Sequence, residues 1–378
     1  MQPSAGVTPE QVARPFRLRP FRALRLQDGR VGLPSSGRLL ARPYRSVAKR
    51  MREWQERGQV RRDAEPGLYL HEYTVAGITV RGLVGALELS SAGGDAGMGG
   101  PAVLPHEGVH PEQVAELAER MHQMGMNPAP ILLVHRGPAA VRSLVADLLA
   151  APPQVCFTDH GGQQHRIWAI TDPGQLAVIE EGLASSQALI ADGHHRYAAY
   201  LQLRDSYPGT GWEQGLVMLV DHDDTPLFLG AIHRFLPGVT LDQLAAAAER
   251  VSGLRVARTR DSALGALDRD TLVVTDGEEW LTVGGVSTER TAVETFHHAI
   301  LGGLASAPRV AHHHTVHGAL REAATRPGLA VLLPAADLDS VVAASRDRLL
   351  PEKATSFQPK PHVGLLMRIV DDRSSWPT

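Results

Sequence analysis

One cysteine, Cys156, stands in a chain of 378 residues. A lone cysteine excludes an internal disulfide framework and fits a reducing compartment. Followed by Phe157 and close to other apolar residues, this thiol is expected to be buried and structural rather than nucleophilic. Nowhere does the sequence hold a run of about 18 apolar residues, so no membrane span is expected. The opening Met1-Gln2-Pro3-Ser4-Ala5-Gly6 lacks the apolar stretch of a secretory signal, and the expected location is cytoplasmic. Excess charge is also missing: 38 Lys and Arg stand against 41 Asp and Glu, a formal net charge of −3. Nucleic acid is therefore an unlikely partner, the more so as no helix-turn-helix pattern stands out. Neither a Walker lysine motif nor a kinase glycine-rich loop occurs, which excludes the common kinase folds. There are no internal repeats and no coiled-coil heptads.

What is present is ordinary globular composition, 43% apolar and 21% charged, at a length that suits one large domain or two. Residues 1–45 are rich in Arg and Pro and weakly periodic, and read as an irregular N-terminal segment. A region from 46 to 235 follows. It has helices expected over Ser46–Arg57, Pro111–Met124, Ala139–Ala151 and Pro173–Ala184, and strands over Pro130–Val134, Gln164–Ile170 and Gly215–Val220. Between Gly67 and Leu89 the period-two pattern reads as a hairpin plus a third strand from Gly82, before a glycine-rich loop at 90–100. Residues 236–370 carry a second run of mixed elements: helices over Leu241–Val251, Glu294–Leu304 and Ala336–Asp347, a hairpin around Asp276-Gly277, and strands at Gly328–Pro334 and Gly364–Val370. A tail, 371–378, closes the chain. The expected class is α+β, mixed sheets with flanking helices.

The densest polar chemistry lies at Ala188-Leu189-Ile190-Ala191-Asp192-Gly193-His194-His195-Arg196-Tyr197. Four apolar residues end a buried strand, Asp-Gly turns, and a helix follows from Tyr197 to Arg204. Gly193 lets backbone approach a ligand, and the helix start offers N–H groups to an anion. Arg196 brings a fork that fits phosphate or carboxylate oxygens. Asp192, His194 and His195 supply groups that move protons or hold a metal. A turn with Asp192 as a simple helix cap fits the same residues.

Three further places stand out. His106-Glu107, after the glycine-rich loop, offers an acid/base or metal pair. His233-Arg234 is expected at the end of a strand running from Leu227. The irregular Leu350–Pro361 stretch carries Lys353 and Lys360 as point charges and Thr355 and Ser356 as donors, a set suited to an anion. Two metal readings are weaker. Asp221, Asp223 and Asp224 lack the glycine and distal glutamate of a calcium loop. His312-His313-His314 point alternately to opposite faces of a strand, with no matching ligand at zinc spacing.

Several of these stretches, in this order, resemble a bacterial domain-of-unknown-function family, number 1015. They are Pro20-Phe21-Arg22-Ala23-Leu24-Arg25, Gly82–Leu87, Leu104-Pro105-His106-Glu107, Ile190–Tyr197, His233-Arg234 and Pro351–Lys360. The resemblance spans nearly the whole chain, and the Asp-Gly-His-His-Arg and Pro-Glu-Lys…Pro-Lys motifs are its specific parts. Two departures accompany it. The family's Pro-Pro-Tyr-Asp segment is replaced by Gly32-Leu33-Pro34-Ser35-Ser36-Gly37, and the threonine after His-Glu is absent at Gly108. Over less than a tenth of the chain, Asp192–Arg196 is similar to the phosphate-binding corner of the ParB/sulfiredoxin superfamily, which includes free-serine kinases. That local likeness implies a nucleotide-phosphate site.

The leading expectation is a nucleotide-dependent phosphotransferase acting on a small hydroxylated metabolite, with ATP or ADP and Mg²⁺ as cofactors. In it Gly193, His194, Arg196, Lys353, Thr355, Ser356 and Lys360 hold phosphates. Asp192, His195, His106 or Glu107 orient the hydroxyl, with His233 and Arg234 in support. The other readings are a non-catalytic nucleotide-binding regulator, and a metal-dependent hydrolase using His106, Glu107, His195 and His233.

Overall fold

The computed structural model describes residues 7–34, 47–89, 100–287 and 290–370. Ser35–Gly37, most of the glycine-rich loop and the tail fall outside them. The chain divides into two compact units. The first joins residues 1–105, 109–227 and 359–378, and the second joins 106–108 with 228–358.

The first unit is built on a nine-stranded mixed sheet. In chain order its strands are β1 (Leu18–Arg19), then, after β2 (Ala23–Leu26) and β3 (Val60–Arg62), β4 (Leu68–Val75), β5 (Ile78–Glu88) and β6 (Val103–Leu104). Past β7 (Met126–Asn127) come β8 (Ile131–His135), β9 (Val155–Thr158), β10 (Gln164–Ile170), β11 (Ala188–Asp192) and β12 (Gln214–Asp221). They lie in the order β6-β11-β8-β12-β5-β4-β10-β9, with β1 on β5. Parallel pairing joins β12 to β8 and β11 to β6, and the remaining pairs are antiparallel. β2 and β3 pair with each other, and Met367–Ile369 lies between β2 and β7 in a four-stranded sheet.

The middle of the large sheet is apolar because its strands are covered on both faces. Leu132, Leu133, Val134, Leu189, Ile190, Val217, Met218 and Val220 are all buried. Each such side chain contributes roughly 1.5–3 kcal/mol relative to exposure. Helices α1 (Val47–Glu56), α2 (Pro111–Met124), α3 (Ala139–Leu149), α4 (Pro173–Leu183) and α5 (His194–Ser206) belong to this unit. Their ends follow the sequence. Pro111 sits in the first turn of α2, and Asp172 caps α4 by accepting the Gln175 N–H.

The second unit holds a six-stranded antiparallel sheet. It follows the short strand β13 (Phe228–Gly230) and is made of β14 (His233–Pro237), β15 (Arg255–Thr259), β16 (Thr271–Thr275), β17 (Trp280–Gly284), β18 (Ala311–His313) and β19 (Gly328–Leu332). β20 (Ser356–Gln358) pairs with β13 in a separate ribbon. Helices α6 (Leu241–Glu249), α8 (Val316–Ala323) and α9 (Leu338–Asp347) accompany the sheet, as does a helical stretch that starts as α7 (Ala292–Glu294) and widens into π turns at Thr295–Ile300. α6 opens with a Thr240–Gln243 capping box.

The mixed α+β class expected from the sequence is the class observed. Four local expectations need correction. β5 runs unbroken from Ile78 to Glu88, so no third strand begins at Gly82. α5 starts at His194, three residues earlier than expected, and takes His194, His195 and Arg196 into its first turn. His233-Arg234 opens β14 rather than closing the strand before it. Cys156 is exposed, because β9 is the edge strand of its sheet and alternates outward at that position.

Candidate functional site

At the end of β11 the ladder with β8 shifts register between Ile190 and Asp192. The irregularity skips Ala191, so Asp192 pairs with Leu132 as the last residue of the strand. Gly193 follows at φ 101° and ψ 33° and begins α5 without any side-chain cap. Only glycine fits there. A Cβ would strain the backbone and stand 2.9 Å from both Arg196 Nη2 and Ile131 Cγ2.

Asp192 is the hub of the corner. Its Oδ2 accepts from Arg196 Nη2 at 2.7 Å, one helical turn on. Its Oδ1 accepts from Lys360 Nζ. Arg196 also donates through Nη1 to the carbonyls of Pro130 (2.7 Å) and Ala129 (3.3 Å), which ties α5 to the approach of β8. Most of its donors are thus spent on the protein itself. Lys360 is less committed, with about half of its side chain exposed. An ion pair so open to solvent contributes about 0–1 kcal/mol, so a polyanion can take Lys360 from Asp192 at small cost.

The segment that carries Lys360 is held by three hydrogen bonds with two residues. Tyr73 Oη donates to the Pro359 carbonyl at 2.6 Å. Gln163 donates through Nε2 to the Lys360 carbonyl at 2.8 Å and accepts the His362 N–H at 3.2 Å. A cavity of about 350 Å³ opens beside it. Leu117, Met121, Met124, Pro130, Leu132 and Val363 make its apolar wall, while Asp192, Arg120, Arg196 and Lys360 line its polar side. Arg120 pairs with Glu116, and Arg196 and Lys360 with Asp192, so three cationic side chains stand against two carboxylates, a surplus that favours an anionic occupant.

The two histidines of the corner are quieter than their sequence position suggested. His194 is buried, and burial, then His195 and Lys360, lower its pKa to about 3. It is neutral at pH 7, and adds no charge to the anion side. His195 accepts the His110 N–H through Nε2 at 3.1 Å and stacks on the His110 ring. That nitrogen carries no proton, so the ring serves to join α5 to the start of α2.

The remaining expected residues belong to the second unit and form a group of their own. His106 is fully buried and its Nε2 lies 2.8 Å from Thr355 Oγ1. Glu107 accepts the Ala354 N–H at 3.1 Å. Burial raises its pKa to about 7, outweighing the lowering by the hydrogen bond from Ala354 and the charge of Arg234. Arg234, also fully buried, donates to the carbonyls of Ile232 (2.6 Å) and Lys353 (3.0 Å) and through Nε to His297 Nε2. Burial lowers its pKa to about 10, which leaves it charged. It therefore fixes the Glu352–Ala354 turn, where Lys353 adopts φ 54°. His233 spends Nδ1 on the Leu333 N–H at 3.2 Å. Ser356 lies within reach of His314.

The acidic turn after β12 answers to arginine. Asp221 pairs with Arg142 and accepts the Gly137 N–H, Asp223 pairs with Arg136 and Arg142, and Asp224 pairs with Arg81. Sequence reasoning missed Tyr73 and Gln163, whose contacts lie 286 and 197 positions away. No local pattern marks such residues.

A family model described as a protein of unknown function, DUF1015, matches residues 5–303. The chain belongs to the DUF1015 family. No curated protein matches it. Among solved structures, a free serine kinase in complex with AMP resembles this DUF1015 chain at a TM-score of 0.41 and 14% identity, covering 71% of this chain and 88% of that one. A conserved hypothetical protein from Pyrococcus furiosus gives 0.38 and 14%, covering 71% and 92%. SbnI with a C-terminal truncation, from Staphylococcus aureus, gives 0.41 and 12%, covering 71% and 84%. At this level the likeness does not extend to activity. Among the described residues, no helix of this DUF1015 member is long and apolar enough to cross a membrane.

Proposed function

We propose that this DUF1015 protein is a nucleotide-dependent phosphotransferase acting on a small hydroxylated metabolite, with its nucleotide in the cavity beside Asp192. One observation carries the reading: an apolar wall and a cationic side meet in a single cavity beside Asp192. The Leu, Met and Pro side chains suit a base or other flat apolar group. Lys360 and Arg196 suit phosphate oxygens.

Lys360 leaves Asp192 for the phosphate and neutralises charge that builds during transfer. Arg196, anchored on Pro130 and Ala129, orients rather than moves. Asp192, relieved of Lys360, accepts the hydrogen bond of the attacking hydroxyl. Its carboxylate has lone pairs beyond those used by Arg196, so Asp192 is the residue that would hold a Mg²⁺. Such an ion would supply neutralisation of phosphate charge. In the second unit Glu107, with a pKa of about 7, has the protonation behaviour of a general acid or base. His106, Thr355, Ser356 and Lys353 surround it in sequence or by hydrogen bonds, and Arg234 and His233 support them.

The test is thermal unfolding of the whole chain with ATP, ADP or CTP, with and without Mg²⁺, beside Arg196→Ala and Lys360→Ala. A ligand at a hundred times its Kd stabilises by about 2.7 kcal/mol. A shift in the wild type that both variants lose supports the site. No shift with any nucleotide overturns it. Binding without turnover across a screen of hydroxylated acceptors leaves a nucleotide-binding regulator instead of an enzyme.

A further inference from the structure

At the turn between β9 and β10, and on the same C-terminal segment that carries Lys360, three side chains meet that the cavity does not use. Asp159 Oδ2 lies against His165 Nε2 at 3.0 Å and against His362 Nδ1. The three donor atoms all lie within 4.8 Å of one another. We propose that Asp159, His165 and His362 bind a divalent transition-metal ion.

The donor set is right for such an ion. Two imidazoles and one carboxylate are the usual ligands of zinc and of neighbouring first-row metals, bound at about 2.0–2.2 Å. Ligand atoms around one tetrahedral ion at that distance stand about 3.3 Å apart, and the 3.0 Å between His165 Nε2 and Asp159 Oδ2 is near that spacing, with all three atoms inside 4.8 Å. Three protein ligands leave a fourth position open, as catalytic rather than structural sites do. The side chains of Asp159 and His165 are fully buried, whereas His362 is about one-third exposed and provides the way in.

The surroundings are built as a second layer around a metal would be. Asp159 Oδ1 is held by the backbone N–H groups of Gly161 (2.8 Å) and Gln163 (3.0 Å), which aims the other oxygen at the histidines. His165 Nδ1 is 3.1 Å from Nε2 of the buried His71. The His362 main chain is held by Gln163. Gly161 is obligatory for space, since a Cβ there would run into the His362 ring.

Without metal, the Asp159 carboxylate accepts hydrogen bonds from both imidazoles, and His165 Nδ1 accepts one from His71 Nε2. With metal on His165 Nε2, the ring's proton sits on Nδ1 and is shared with His71 Nε2 as a hydrogen bond, while the proton of His71 moves to its own Nδ1. The direction of the His71–His165 bond reverses on binding. Because Gln163 grips both Lys360 and His362, an ion here also steadies the segment from which Lys360 reaches Asp192. The proposal stands apart from the nucleotide reading, and its test contains no nucleotide.

The whole chain is stripped with a chelator and titrated with Zn²⁺, and separately with Co²⁺, whose visible absorption reports coordination. Metal content is measured by mass spectrometry on the same samples. Wild type is expected to take up one ion per chain with a low-coordinate Co²⁺ spectrum. His362→Ala and Asp159→Asn are expected to weaken binding at least tenfold, while His160→Ala, an exposed histidine of the same turn, leaves it unchanged. Imidazole nitrogen NMR is expected to show the tautomer change at His71 when Zn²⁺ is added. His362 is partly exposed, so its alanine variant keeps the fold, which circular dichroism checks. Wild-type uptake no greater than that of His362→Ala, or a bound ion that survives both ligand variants, overturns the proposal.

Discussion

Replacing Gly193 with alanine isolates the demand that the Asp192 corner makes on the backbone. The residue sits at φ 101°, well inside the region that a Cβ disfavours. Holding a non-glycine residue there costs about 1–2 kcal/mol. The added methyl group also arrives 2.9 Å from Ile131 Cγ2 and from Arg196 Nη2. The arginine end can move, but Ile131 is a fully buried β8 residue in a packed sheet, and crowding of this kind costs about 1–3 kcal/mol. Alanine returns only about 0.4–1 kcal/mol by restricting the unfolded chain. The net loss expected for Gly193→Ala is about 1–4.5 kcal/mol, a large share of the roughly 5–15 kcal/mol that domains have to spare. Urea unfolding followed by tryptophan fluorescence measures it. Gly193→Asn is the companion variant, since asparagine tolerates positive φ yet carries the same Cβ. It should recover about 1 kcal/mol of the loss and no more. An alanine variant within 0.5 kcal/mol of wild type would refute the reasoning.

Two other outcomes are expected. Glu107 holds its proton up to about pH 7 when folded, against an ordinary value of 4.5. Between those values the folded chain binds the extra proton, so stability is full at the acid end and declines by up to about 3 kcal/mol as pH rises through 7. Glu107→Gln should flatten that decline when unfolding is compared near pH 5 and pH 8, and an unchanged slope would remove Glu107 from the account. Cys156, exposed on β9, should react fully with a thiol reagent in the folded chain, one thiol per chain. A requirement for denaturant would contradict that exposure.

Much of the fold was legible because strong periodicity reports burial directly. β10 and the strand entering the Asp192 corner follow the apolar pattern, and α4 follows its Asp-Pro start. Glycine misled the reading of β5. Gly82 looks like punctuation, but it sits mid-strand where a Cβ would strike the Leu219 carbonyl and Met218, so it serves close approach between strands. The start of α5 was hidden because His194-His195-Arg196 carries no apolar period, and tertiary anchors decide it: Arg196 on Pro130 and His195 on His110. Cys156 was misjudged because sequence does not say which strand will be at an edge. The corner itself was visible as a cluster of residue types. The grouping of Asp159 with His362 was not, since 203 positions separate them and neither lies in a motif.

The first unit is interrupted in sequence, and this has a consequence for how the protein is made. Residues 359–370 contribute Lys360, His362 and the strand between β2 and β7, which buried Arg368 fastens to Asn127 and to the carbonyls of Gly211 and Gln214. A ribosome delivers them only after the whole of 228–358 has emerged, by which time that intervening region has all but its 106–108 portion in one continuous piece. Domains tend to fold as units during synthesis. Until then the nascent first unit lacks Lys360, Pro361 and Val363 from the lining of its cavity, which is completed only once translation has passed the last anchoring strand.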